Sequence, residues 1–205
     1  MKTFKLINTL ILISLIIINI FYIGNNIING KFVKLLDNGL LFLSLLTPFL
    51  SKKIIKINLS ELFKFFYYIY IIISLLIGEI MLLMKDTLWF DKIVHFYFGF
   101  IISIVAVLII KYNSNNLKEK IFFNILFISG FALLAGSNWE LIEFTLDKVF
   151  HTNHQRWIET CVDDTMLDLL VTFLGSIIIN ICYYIEIKKN KFGLVYHSIR
   201  DDVNI

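Results

Sequence analysis

Charged residues are scarce in this sequence. Asp, Glu, Lys and Arg make up 17% of its 205 residues and apolar residues 58%; a soluble domain carries roughly 25% charge. That leaves too little polar surface to coat a water-soluble globule, so the bilayer is the expected solvent. Cysteine is nearly absent. Cys161 and Cys182 are the two present, 21 residues apart. A helix of that length spans about 30 Å, and a disulfide needs Cα atoms within ~7 Å. An intramolecular bridge is excluded on that geometry, and free thiols are expected. No phosphate-cradling glycine loop, nucleophile elbow, haem motif or nucleic-acid module occurs, so nucleic acid is not an expected partner. No internal repeat, low-complexity linker or soluble second segment divides the chain. Residues 1–205 therefore read as one integral membrane domain. The apolar run from Leu6 to Ile23 has no A-x-A-like cleavage site after it. It also exceeds the roughly 7–15 residue core of a cleaved signal, so an uncleaved first helix is expected.

What the chain has in quantity is long apolar runs. About 20 such residues cross the hydrocarbon as a helix. Candidate spans are 5–23, 34–50, 65–84, 93–111, 121–140 and 166–185. The second is interrupted by Asp37, Asn38 and Gly39 and closes near Pro48. The expected fold class is all-α, a polytopic membrane helix bundle of about six transmembrane helices with both termini inside. Charge supports that orientation: with six crossings, thirteen of the nineteen Lys and Arg fall inside and eleven of the sixteen acids fall outside. Trp89, Trp139 and Trp157 then lie at the outer interface, where amphipathic rings sit among headgroups.

The chemistry-bearing residues are acids and histidines near the outer membrane boundary. Asp91 and His95 are four apart and share a helix face. Glu140, Glu143 and Asp147 follow the spacing of one helical stripe, and Asp164 and Asp168 are again four apart. His151, His154 and Gln155 lie in the loop between these stripes. His95 and Asp168 sit about one turn below the boundary, and Glu79 roughly 8 Å deep. A carboxylate at that depth is costly unless it faces a partner or a wet cavity. Small residues continue each stripe inward: Gly99 and Ser103, Ala132 and Gly136, then Thr172, Gly175 and Ser176. They let backbones approach closely, so a shared, outward-opening polar pocket is expected.

His with Asp and Glu suits Zn²⁺ or another divalent transition metal, and carboxylates alone suit Mg²⁺ or Ca²⁺. His95, Glu140, Glu143, Asp164 and Asp168 are the candidate metal ligands; His95, Glu140, Glu143 and Asp168 are the candidate catalytic groups. Without metal, a carboxylate beside His95 could act as acid and base. The expected activity is an envelope-facing enzyme acting on a lipid or lipid-linked substrate. The alternatives are a structural or assembly protein, in which Asp91 and Asp164 are helix N-terminal acids, and a cation-coupled transporter.

Three motifs, in order, carry a family resemblance. Trp89, Asp91, Lys92, His95 and Gly99 resemble the Tyr-Asp-Arg-x-x-His-x-x-x-Gly segment of the YjdF-like bacterial inner-membrane proteins. Trp139, Glu140, Glu143 and Phe144 resemble their Tyr/Trp-Glu-x-x-Glu-Trp/Phe segment. Gln155, then Asp164, Thr165, Asp168 and Gly175, resemble their Gln and Asp-Thr-x-x-Asp stretch with its following glycine. The resemblance covers about residues 86–180 and implies a bacterial cytoplasmic-membrane location. It implies no activity. A more distant likeness is to VanZ-like proteins, with an Asp-Lys-x-x-His helix and a late acidic helix.

Overall fold

The computed structural model describes residues 2–32, 34–55, 58–81, 87–113, 120–151, 153–155, 160, 162–189 and 193–199. Cys161, Arg156 and Trp157 lie outside the described residues, as does the side chain of Glu79. Among the described residues every regular element is helical. The helices are α1 (Lys2–Ile28), α2 (Lys34–Leu50), α3 (Glu61–Ile71), α4 (Leu88–Asn113), α5 (Ile121–Phe150), α6 (Val162–Lys189) and α7 (Leu194–Ile199). Wider π-helical turns continue α2 over Ser51–Ile55 and α3 over Ile72–Ile80.

Among the described residues, five helices are long and apolar enough to cross a membrane: Thr3–Ile28, Glu61–Gly78, Trp89–Asn113, Ile121–Phe150 and Val162–Lys189. Their outward faces carry large apolar side chains, such as Leu6, Ile13 and Ile17 on α1 and Met166, Leu170 and Leu174 on α6. Contiguous exposed apolar surface of this extent needs a lipid solvent. α2 has 17 residues, about 26 Å of helix, against the ~30 Å of a hydrocarbon core. The span expected over 34–50 is one continuous helix, with Asp37, Asn38 and Gly39 accommodated inside it. Asp37 pairs with Lys34 at 3.3 Å, Asn38 is bonded sideways to α1, and Gly39 has open space around it. The helix ends two residues beyond Pro48, whose carbonyl accepts from the Ser51 hydroxyl at 3.0 Å.

The chain divides into two compact units, Met1–Phe90 with His197–Ile205, and Asp91–Tyr196. The first is built on α1, α2 and α3 around Leu15, Leu41, Leu45, Tyr68, Ile71 and Leu76. Its buried polar groups are mainly amides. Asn38 Nδ2 donates to Asn19 Oδ1 at 2.8 Å, and Asn26 Nδ2 donates to Asn38 Oδ1 at 2.9 Å. Asn19 Nδ2 returns a bond to the Asn38 carbonyl at 3.1 Å. Nearer the chain start, Asn8 Nδ2 donates to Glu61 Oε2 at 2.8 Å. Ser60 caps α3 by accepting from the Phe63 N–H at 2.9 Å.

The second unit buries polar residues alongside apolar ones such as Ile101, Ile104 and Val107 of α4. α5 buries Asn124, Ile128, Ala132, Gly136, Glu140 and Glu143, a single stripe at helical spacing. α6 buries Asp164, Asp168, Thr172, Gly175, Ser176, Ile179, Asn180 and Tyr183. α4 and α6 meet backbone to backbone. A Cβ on Gly99 would collide with the Thr172 carbonyl, and one on Gly175 with the Phe96 carbonyl. Below this crossing, Asn124 Nδ2 donates to Tyr183 Oη at 2.8 Å and Asn180 Nδ2 to Ser129 Oγ at 2.7 Å. At the far end of α6, Glu186 accepts from the backbone N–H groups of Val195 and Tyr196, each at 2.9 Å, and so ties down α7.

Candidate functional site

Three helices of the second unit each bring acids to one level. The first turns of α4 supply Asp91, Lys92 and His95, the first turns of α6 supply Asp164 and Asp168, and α5 supplies Glu140 and Glu143. They converge because the glycine crossing just beneath brings the helices close. Thr172 Oγ1 donates to the His95 carbonyl at 3.3 Å, joining α6 to α4 directly under the cluster. Gly136 of α5 faces the same residue, its Cβ position 3.1 Å from Thr172 Cγ2.

Carboxylate oxygens surround the imidazole. His95 Nε2 lies 3.7 Å from Asp91 Oδ1, 3.8 Å from Glu140 Oε1 and 4.0 Å from Asp168 Oδ1. These are not hydrogen-bond distances. The Asp91, His95 and Asp168 ligand atoms all fall within 4.8 Å of one another. Glu140 Oε1 and Asp168 Oδ1 are buried and accept no hydrogen bond. Their residues are 5% and 1% exposed, so bulk solvent does not reach them. An unpaired buried carboxylate oxygen is expensive, and here two of them face one imidazole.

The opposite oxygens of the same carboxylates are held. Lys92 Nζ donates to Asp168 Oδ2 at 2.7 Å, lies 3.4 Å from Asp91 Oδ2 and makes a short bond to Asp164 Oδ1. Gln155 Nε2 reaches Glu140 Oε2 at 3.5 Å, the Glu140 carbonyl at 3.2 Å and Thr165 Oγ1 at 3.2 Å. Asp147 sets that glutamine in place, its two oxygens accepting from the His154 and Gln155 N–H groups at 2.7 and 2.9 Å. Each carboxylate around His95 thus has one oxygen fixed by an internal donor and the other turned inward.

Of the residues singled out by sequence, His95, Glu140 and Asp168 come together, with Asp91 as the fourth member. Asp164 is held by Lys92 instead. Glu143 Oε1 accepts from the Trp139 indole at 2.7 Å, one turn away on its own helix. Neither comes within 4.0 Å of the His95 ring nitrogens. His154 pairs with Asp147 at 3.0 Å, and His151 is an exposed residue with φ of 54° that closes α5. In the sequence Lys92 stands only as part of the motif that carries the family resemblance, with no role of its own; its position next to Asp91 and three before His95 was the available signal. An apolar groove of about 680 Å³ runs along α5 and α6, lined by Leu133, Met166, Leu170 and Phe173, with Asp163 at its edge.

The fold and this cluster define an integral membrane helix bundle with a buried acid–histidine centre. The chain belongs to the family described as "Predicted membrane protein (DUF2238)", whose family model matches residues 7–189. The YjdF-like resemblance is consistent with that family. A relative in Thermotoga maritima, named "Uncharacterized protein", is 27% identical over 151 residues, covering 73% of this chain and 76% of the relative. Neither match bears on the VanZ-like resemblance. No solved structure matches the chain.

Proposed function

We propose that this membrane protein holds a divalent cation between Asp91, His95, Glu140 and Asp168 and uses it for hydrolytic chemistry on a lipid or lipid-linked substrate. The observation that carries the reading is the set of inward-turned oxygens around His95 Nε2, two of them buried without a donor. One imidazole with three carboxylates suits Zn²⁺, and the carboxylate majority also suits Mg²⁺ or Mn²⁺. A cation there supplies a Lewis acid and lowers the pKa of bound water toward neutrality. The donors from Lys92 and Gln155 orient the ligands, as outer partners do in metal sites. This reading narrows the ligand set: Asp91 enters, while Asp164 and Glu143 become supporting groups.

The orientation belongs to the same proposal. With α2 crossing as a short span, the basic residues gather inside and the cluster opens outward, in a bacterial cytoplasmic membrane. The groove beside Asp163 suits an acyl chain, which favours a lipid substrate. The backbone contact of Gly99 with Thr172 and of Gly175 with Phe96 closes the space between α4 and α6 beneath the cluster. That favours a one-sided pocket over a path through the membrane, and so an enzyme over a transporter.

The test combines metal content with lipid composition. Full-length protein purified in detergent should carry one divalent metal per chain, and Asp168→Asn or His95→Ala should lose it while keeping its helix content. In cells lacking the protein, wild-type but not Asp168→Asn should restore the lipid profile. Metal-free wild-type protein after incubation with Zn²⁺, Mn²⁺ and Mg²⁺, or variants that restore the profile fully, would overturn the reading.

A further inference from the structure

The Lys92 ammonium sits among the oxygens of three buried carboxylates. Four oxygens lie within 3.5 Å of Nζ: Asp164 Oδ1, Asp168 Oδ2, Asp91 Oδ2 and the Asp164 carbonyl. An ammonium has three N–H donors, so this shell is larger than directed hydrogen bonding fills. The side chain is 20% exposed, while its partners Asp91, Asp164 and Asp168 are 6%, 4% and 1% exposed. Two of these partners are shared. Asp91 gives Oδ2 to Lys92 and Oδ1 to the His95 side, and Asp168 does the same. Carboxylates that divide their oxygens between adjacent cation positions are the framework of two-metal sites, whose ions stand about 3.5–4 Å apart.

We propose that this centre has two cation positions and that the Lys92 ammonium permanently fills the second, leaving one position for an exchangeable divalent ion. The inference rests on the metal reading above and deepens it by fixing the number of ions. The physical reason is charge and desolvation. Asp91, Glu140, Asp164 and Asp168 are all buried, and among the described residues Lys92 is the one lysine or arginine paired with any of them. A built-in ammonium keeps Asp164 and Asp168 compensated when the exchangeable ion is absent, so the empty centre does not repel itself apart. It also holds the bridging carboxylates in their divided geometry before any ion arrives. Removal of Lys92 exposes a ready oxygen shell from Asp164, Asp168 and Asp91, which a second divalent ion can enter.

The experiment uses full-length protein in detergent, Mn²⁺ as the probe, and two readouts: metal per chain by mass spectrometry and electron paramagnetic resonance of the bound ion. Wild type should bind one Mn²⁺ with the spectrum of an isolated ion. Lys92→Ala should bind two, with the spectrum broadened by coupling between them. Lys92→Arg, which keeps a cation in place, should stay at one. Lys92→Ala protein that folds only when produced with Mn²⁺, and then holds two ions, supports the same conclusion. One ion or none in Lys92→Ala, with one in wild type, overturns the second position and leaves the metal centre standing. No ion in wild type overturns both. A purely structural lysine would change stability in these variants without raising the metal count.

Discussion

The two units of this chain both bury polar groups inside an apolar exterior, but they do so with opposite results. In the first unit the buried polar groups are neutral amides and hydroxyls: Asn19, Asn26 and Asn38 exchange three hydrogen bonds across α1 and α2, and the orphan left over among the described residues, Asn8 Oδ1, is an uncharged amide oxygen. In the second unit the buried polar groups include neutral amides and hydroxyls, but also aspartates and glutamates around His95, with half-buried Lys92 beside them, and Glu140 Oε1 and Asp168 Oδ1 have no donor. A closed network of neutral groups is an interhelical clasp. An open network of charged groups stays costly until something occupies it. Packing differs in the same sense. Gly24 and Gly39 in the first unit have no atom within 4 Å of a Cβ position, whereas Gly99 and Gly175 in the second are required by backbone contact. The tight crossing holds the acids at one level, and the looser bundle has no such demand.

That contrast can be broken most forcefully at the crossing. Gly175→Ala should destabilise the protein by about 3 kcal/mol, the upper end for overpacking, because its Cβ meets the Phe96 carbonyl rather than a movable side chain. Thermal unfolding in detergent measures this, and an unchanged midpoint would mean α4 and α6 are not in backbone contact. A smaller effect is expected at Gln155→Ala, which removes the donor to Glu140. Cation affinity should fall about tenfold, as for other outer partners of metal ligands, with little change in melting temperature. Isothermal titration with Mn²⁺ decides it. The smallest effect belongs to the first unit: Asn38→Ala removes two side-chain hydrogen bonds and should cost about 1.2 kcal/mol, at the ~0.6 kcal/mol average for each interhelical hydrogen bond in membranes. Its cation affinity should match wild type, and a change there would erase the distinction between clasp and site.

Much of the fold was legible because lipid imposes a simple rule. Every backbone group must be satisfied within its own helix, so each apolar run declares a helix. The five long helices follow from this, and α5 extends through Glu143 and Asp147 as their stripe spacing implied. What the polar interruption of the 34–50 run did not reveal was the partner of its buried amide. Asn38 looks like a helix-breaking polar residue in one dimension, but its partners are Asn19 and Asn26, 19 and 12 residues away. In the cluster, period and depth identified the helix faces and hence His95, Glu140 and Asp168. They could not divide roles among acids on the same face. Asp91 and Asp164 stand at equivalent places in their helices, yet Asp91 turns an oxygen to His95 and Asp164 turns its own to Lys92.

The sequence by itself determined that this chain lives in a bilayer, where its helices lie, and that ionisable groups on α4, α5 and α6 share a level. Those properties depend on composition and helical period, which are local. Only the tertiary structure decided which oxygen of each carboxylate is held and which is left over, and that Lys92 sits among acids rather than facing solvent. Those outcomes depend on distances between helices, set here by two glycines that let backbones touch.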